Sequence, residues 1–175
     1  MTSTPAPLAE SEWRALYQRL ERPLFNLAYR YVWQREEAQD VLHDAFLRVW
    51  SKRGTLRAET ADRYLWVSVL NLSRNRRRWK RLRNVFEVHD EAIEERGGGD
   101  APDSMLIQTE RATRLRGAID TLPEKLREVL LLTEFSGMLH DDVAALLGIP
   151  PGTVASRRHL AVQRLRGRLR DGDIE

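Results

Sequence analysis

The stretch Gly137–Leu169, GMLHDDVAALLGIPPGTVASRRHLAVQRLRGRL, decides how the rest of the chain is read. It reads as two helices joined by a tight turn. Val143, Ala144 and Leu147 recur at helical spacing, so the first helix has one apolar face. Gly148 suits the left-handed conformation that ends a helix. Ile149 is expected to plug the turn. Pro150 and Pro151 cannot extend the first helix and favour the start of another. The second helix is expected to open at Thr153 and carries Arg157, Arg158, Arg164, Arg166, Arg168 and Arg170. A short helix, a glycine turn and a basic second helix are the pattern of a DNA-binding helix-turn-helix, with the second helix in the major groove. Hydroxyls and cations at its start (Thr153, Ser156, Arg157) stand where base and phosphate contacts fall.

The chain has 175 residues, enough for one domain or two small ones, and is rich in Leu, Arg, Ala and Glu. The expected fold class is all-α: two small helical domains joined by a flexible acidic linker, the C-terminal one a helix-turn-helix. There is no cysteine, so disulfides and thiolate metal sites are excluded. No apolar run approaches the roughly 18 residues of a membrane span, and no signal peptide pattern opens the sequence. The expected location is cytoplasmic, with no membrane insertion.

Charge is distributed unevenly behind a net +3. Residues 1–84 hold 17 Lys/Arg against 9 Asp/Glu, residues 85–104 hold 1 against 7, and residues 105–175 hold 11 against 10. Two folded segments thus flank an acidic strip, and the first carries most of the positive field. Four segments follow: a disordered N-terminus (1–7), a first domain (8–84), a flexible linker (85–104) with Gly97, Gly98, Gly99 and Pro102, and a second domain (105–175).

From Leu8 to about Trp33 one or two helices are expected, with Pro23 as a kink or break. Their apolar stripes are Trp13, Leu16, Tyr17, Leu20 and then Leu24, Leu27, Ala28, Tyr31, Val32. Residues 36–50 form the clearest amphipathic helix: Ala38, Val41, Leu42, Ala45, Phe46 and Val49 line one face. The other face shows Asp40, His43, Asp44, Leu47 and Arg48. Solvent exposure accounts for the charges; Leu47, apolar on a polar face, hints at a protein contact. Residues 51–62 are expected to be a loop turning at Gly54, with Thr60 or Asp62 capping the next helix.

That helix, Arg63 to about Arg83, is aromatic first and then basic. Arg74, Arg76, Arg77, Arg78, Lys80, Arg81 and Arg83 put seven charges in ten residues. Mutual repulsion at that density is relieved by a polyanion. Asn71 and Asn75, one turn apart, can read base edges, and Trp79 can stack on unpaired bases; a solubilising face with Trp66 and Trp79 in the core is the plainer alternative. In the second domain a helix is expected from Met105 to about Asp120 on Leu106, Ala112, Leu115 and Ile119. Thr121-Leu122-Pro123-Glu124 has the form of a capping box opening another helix that runs to Phe135.

No catalytic constellation is apparent. His43, His89, His140 and His159 are scattered without ligand spacing, and no phosphate-binding glycine loop occurs. Asp141 and Asp142 fit a helix start. Neither an enzyme, a metal nor a cofactor is expected.

Taken in order, these parts resemble the bacterial sigma-70 family in its extracytoplasmic-function (ECF) group, over about residues 13–83 and 119–169. The resemblance rests on Asp40-Val41-Leu42-His43-Asp44-Ala45-Phe46-Leu47-Arg48-Val49-Trp50, on Tyr64-Leu65-Trp66 with Asn71-Leu72 and the arginine run, on Leu122-Pro123 with Arg127 and Val129, and on Leu147-Gly148-Ile149-Pro150 with Gly152-Thr153-Val154 and Ser156-Arg157. It implies a dissociable specificity subunit of RNA polymerase. Asp40, His43, Asp44, Leu47 and Arg48 would bind core RNA polymerase at the clamp coiled coil of its largest subunit. The loop Gly54–Asp62 with Asn71, Arg74, Asn75, Arg77 and Arg78 would recognise the minus-ten element and the melted non-template strand. Thr153, Ser156, Arg157 and His159 would read the minus-thirty-five duplex. An anti-sigma factor is a further implied partner. The sequence departs from the family pattern at Ala155, Leu160 and Val162, where basic residues are usual, and at Arg158, where an apolar one is. The alternatives are an autonomous helix-turn-helix regulator and a sigma mimic that binds polymerase or an anti-sigma factor without reading promoters.

Overall fold

The computed structural model describes residues 9–86 and 103–171, and every regular element among them is helical. The expected disordered N-terminus, and all but the ends of the expected linker, lie outside the described residues.

Helix α1 (Glu10–Val32) opens with the Ala9 N–H donating to the Glu12 carboxylate at 2.9 Å. It passes through Pro23 without a break. An interior proline costs about 3 kcal/mol, but Leu16, Leu20, Leu24 and Leu27 are all buried. At about 1.5–3 kcal/mol each, their burial outweighs that cost. The helix stops at Trp33, whose φ of 57° is left-handed and whose N–H donates to the Tyr29 carbonyl at 2.7 Å. Gln34 is extended, so the chain reverses at once into α2 (Arg35–Ser51). All six residues of the expected apolar face of α2 are buried.

Helix α3 (Ala58–Phe86) begins earlier than expected. The loop is confined to 52–57, and the Thr60 hydroxyl donates back to the Arg57 carbonyl instead of capping. The three helices pack on one another pairwise. Tyr17 lies 4.6 Å from Phe46 and Trp13 lies 5.5 Å from it, edge to face, joining α1 to α2. Trp66 is in the core; Trp79 is not.

The second unit holds α4 (Asp103–Asp120), α5 (Glu124–Leu130), a π turn (Leu131–Phe135), α6 (His140–Leu147) and α7 (Pro151–Asp171). Helix α7 packs against α4, α5 and α6 and organises the unit. Several details differ from expectation. Ala112 is exposed, so the buried face of α4 is Ala118 and Ile119, with Leu115 partly covered. Thr121 does not cap α5: its hydroxyl donates to the Ala118 carbonyl at 2.8 Å and closes α4, and Pro123 is the N-cap. The helix after Pro123 does not run to Phe135 as an α-helix; it widens at Leu131. Leu146, not Leu147, is the buried leucine of α6, and Ile149 is half-covered. Gly148 is left-handed at φ 66° as expected, and α7 opens two residues before Thr153, at Pro151.

The corner between α4 and α5 is tied by Arg127, which is 1% exposed. Its guanidinium donates to the carbonyls of Ile119 (3.1 Å), Asp120 (2.8 Å) and Leu122 (2.7 Å) and to the Glu124 carboxylate (3.2 Å). Those carbonyls end α4 and the turn, where no intrahelical donor is left. Burial, then the neighbouring Arg77, lowers the pKa of Arg127 from its ordinary value, but the guanidinium stays charged.

Candidate nucleic-acid interface

Helix α2 presents its polar face outward. Asp40, His43, Leu47 and Arg48 are exposed and Asp44 is half-covered. Leu47 is 51% exposed on a helix whose other apolar residues are covered. Asp40 pairs loosely with Arg76 of α3 at 3.6 Å, which leaves the face open.

Helix α3 divides the expected minus-ten residues between two faces. Asn71, Asn75 and Arg78 are exposed, and Trp79 and Leu82 continue the same stripe at i+8 and i+11. Trp79 is 69% exposed, which excludes the core reading of that residue. Arg74 and Arg77 point the other way, into the second unit. Arg74 forms an ion pair with buried Glu128 of α5. Arg77 donates to the Asp120 carboxylate at 2.5 Å and to the Asp120 carbonyl at 2.8 Å. Burial raises the pKa of Glu128, against the opposing pull of Arg74. A third contact places the Arg30 guanidinium 4.4 Å over the Phe135 ring. Two of the five expected strand-contacting residues are therefore held by the second unit, and the Asn71 side-chain oxygen accepts from Arg74 at 3.3 Å.

Helix α7 is more open. Ser156 and His159 are exposed, while Thr153 and Arg157 are half-covered. Thr153, Ser156 and Arg157 share one face at i, i+3 and i+4, with His159 beside it. The Ser156 hydroxyl donates to the Thr153 carbonyl at 3.1 Å and remains able to accept. Arg158 pairs with Glu134 at 2.5 Å, which accounts for a charge at that position. Asp141 and Asp142 lie in the first turn of α6, favourable to its dipole. Leu139, its N-cap, makes no side-chain cap and is exposed. Among the described residues no cluster of His, Asp or Glu suits a metal, and no helix is long and apolar enough to cross a membrane.

Sequence reasoning missed Glu128, Asp120 and Arg30. Helical spacing places Arg127 and Glu128 near the buried face of α5, and a carboxylate there calls for a cation. Nothing in the sequence says that the cation comes from α3.

Residues 16–83 match the family described as Sigma-70 region 2, and residues 112–165 match Sigma-70, region 4. The RNA polymerase sigma-E factor of Streptomyces coelicolor is 33% identical over 153 residues, covering 87% of this chain and 82% of that protein. The chain belongs to the ECF group of the sigma-70 family. The ECF RNA polymerase sigma factor SigL of Mycobacterium tuberculosis is 30% identical over 155 residues, with 87% and 86% of the two chains covered. Two solved structures share the fold. CnrH in complex with the cytosolic domain of CnrY has a TM-score of 0.67 at 21% identity, covering 92% of this chain and 88% of that one. RpoE in complex with the anti-sigma factor NepR, from Bartonella quintana, has a TM-score of 0.60 at 23% identity, covering 90% and 98%. This sigma factor is thus a transcription initiation factor that directs RNA polymerase to promoters. Neither the autonomous regulator nor the mimic draws support from these matches.

Proposed function

We propose a division of labour among the three outward faces of this ECF sigma factor, acting in the cytoplasm. Asp40, His43, Asp44, Leu47 and Arg48 of α2 anchor the chain to the clamp coiled coil of core polymerase. Asn71, Asn75 and Arg78, joined by Arg74 and Arg77 when the two units part, recognise the minus-ten element and hold the melted non-template strand. Thr153, Ser156, Arg157 and His159 read the minus-thirty-five duplex. The units act as domains over about 8–84 and 105–175, with 85–104 between them.

The observation that carries this reading is α2. Its apolar stripe is used up inside the first unit, yet its outer face keeps an exposed leucine ringed by charges. That is the composition of a protein-docking rim around a small apolar centre. The energetics agree. Unstacking bases costs a few kcal/mol per step. A protein anchor, a duplex reader and a strand trap on one chain offset it together, because each binding event raises the effective concentration of the next. The anti-sigma factor bound by the RpoE relative makes a protein inhibitor a fitting further partner here.

The test is run-off transcription from linear genomic fragments with purified core polymerase, with and without this chain. Discrete new start sites are expected, and Leu47→Glu is expected to abolish them by preventing core binding. Core binding without transcripts would favour the mimic. Absence of core binding by the unaltered chain would refute the role given to α2.

A further inference from the structure

Where the two units meet, the end of α1, the start of α2, helix α3 and the end of α4 line a cleft of about 230 Å³. Its chemistry is one-sided. Arg77, Lys80, Arg81 and Arg116 bring four cations, against the carboxylates of Glu37 and Asp120. Asp120 is already engaged by Arg77, and its carbonyl lies 3.5 Å from Arg81. Lys80 has no ion-pair partner among the described residues.

Three residues of its lining also carry a buried donor without a partner. The Tyr31 hydroxyl, the Trp33 indole Nε1 and the Arg77 Nε are buried and lack hydrogen-bond partners. Tyr31 is 1% exposed; burial and then Glu128 and Glu124 raise its pKa well above the ordinary value, so its hydroxyl keeps its proton to donate. Leaving such a group buried and unpaired is costly. Trp33 is further marked by its backbone: it is the one non-glycine among the described residues with positive φ. Conformations of that kind cluster where a ligand is held. The Arg116 guanidinium sits 5.4 Å from the Trp33 ring, bringing a cation of the second unit to the same spot.

We propose that this cleft is a binding site for a diphosphate group, free or carried by a nucleotide. Surplus positive charge and unpaired donors call for a ligand made of acceptors, which phosphate oxygens supply. The volume is below the roughly 300–1,000 Å³ of pockets that enclose drug-sized molecules, so the recognised part is small and the remainder of a nucleotide lies outside. The lining comes from both units: Tyr31, Trp33, Arg77 and Lys80 from the first, Arg116 from the second. A bound diphosphate therefore ties the units together and opposes their parting. The site itself stands independently of the promoter contacts proposed above.

The test is isothermal titration of the full chain with inorganic pyrophosphate and, separately, with ADP, with and without sulfate, at fixed ionic strength. Saturable one-to-one binding is expected, weakened at least tenfold by Trp33→Phe, which keeps an aromatic ring but removes the donor, and by Arg116→Ala. Circular dichroism melts of both variants verify folding. Tighter binding of ADP assigns the nucleotide as the source, and tighter binding of pyrophosphate assigns the free diphosphate. Binding that is absent, displaced fully by sulfate, or untouched in both folded variants overturns the proposal and leaves an adventitious ion only on the arginine run.

Discussion

Helices α3 and α7 are the two long basic helices of this sigma factor, and they spend their charge differently. On α3, Arg74 and Arg77 are held by Glu128 and Asp120 of the other unit, and Arg76 leans on Asp40. On α7, only Arg158 has an ion pair among the described residues, and Arg164, Arg166, Arg168 and Arg170 are exposed. Charge density along a sequence is therefore not charge available to a ligand. The helix with the denser run offers part of it only after an internal partner is given up. The more sparsely charged helix is open as it stands.

That contrast can be broken outright by unfolding one side of it. Arg127→Ala leaves the carbonyls of Ile119, Asp120 and Leu122 without their donor and is expected to destabilise the second unit by about 3–5 kcal/mol, the range for breaking a buried charge cluster. In a thermal melt the α4–α7 unit should unfold early while α1–α3 persists.

A smaller change should erase the difference by freeing α3. Asp120→Asn with Glu128→Gln removes both acidic partners of Arg74 and Arg77. Small-angle scattering should show an expanded chain. Affinity for core polymerase should rise about tenfold, a coupling of about 1.4 kcal/mol within the usual range; an unchanged radius and affinity would show that the contacts do not hold the units together.

The contrast is sharpened by separating the two proposed readers. Asn71→Ala and Asn75→Ala should lower open-complex yield, read by permanganate reactivity, with duplex footprints unchanged. Thr153→Ala and Arg157→Ala should weaken the footprint, with about 1–3 kcal/mol lost per specific contact. Binding to promoter DNA should fall with salt at a log–log slope of about −4 to −5 if about five phosphates are neutralised, and Arg78→Ala should flatten it by about one.

The smallest expected effect is a pH dependence. The pKa of Glu128 is raised in the folded protein, by burial foremost and by Glu124, against Arg74 and Arg157. The folded chain therefore binds this proton more readily than the unfolded one, and the contribution of Glu128 to stability declines as pH rises from the ordinary carboxyl value through the raised one. Glu128→Gln should remove that decline, leaving a flatter curve of melting temperature against pH across the acidic range.

The elements themselves were legible because their signals are local. The six-residue stripe of α2, the glycine turn at 148 and the aromatic-to-basic shift of α3 each fix a structure within a few turns of chain. The division of the α3 arginines was not legible. Arg74 and Arg77 differ from Arg78 only in the direction they face, and what they face is set by a unit more than forty residues away in sequence. Thr121 misled for a related reason: its hydroxyl had two backbone groups within reach, the end of α4 and the start of α5, and the sequence favours neither. Trp79 was ambiguous until the packing of Trp66 left it outside.

The π turn at Leu131–Phe135 sets the bearing of everything after it. The Ser136 N–H reaches the Leu131 carbonyl five residues back, at 3.0 Å, where an α-helix would reach four. The turn thus accommodates one residue beyond α-helical phase, and each residue of an α-helix turns the chain by about 100°. Deleting a single residue here would let the segment tighten to α and swing the following side chains round by that angle. Phe135 would leave Arg30, Glu134 would leave Arg158, and α7 would point elsewhere. The aim of α7 relative to α2 is written as a phase, one residue deep, in a stretch outside both of the contact faces proposed above.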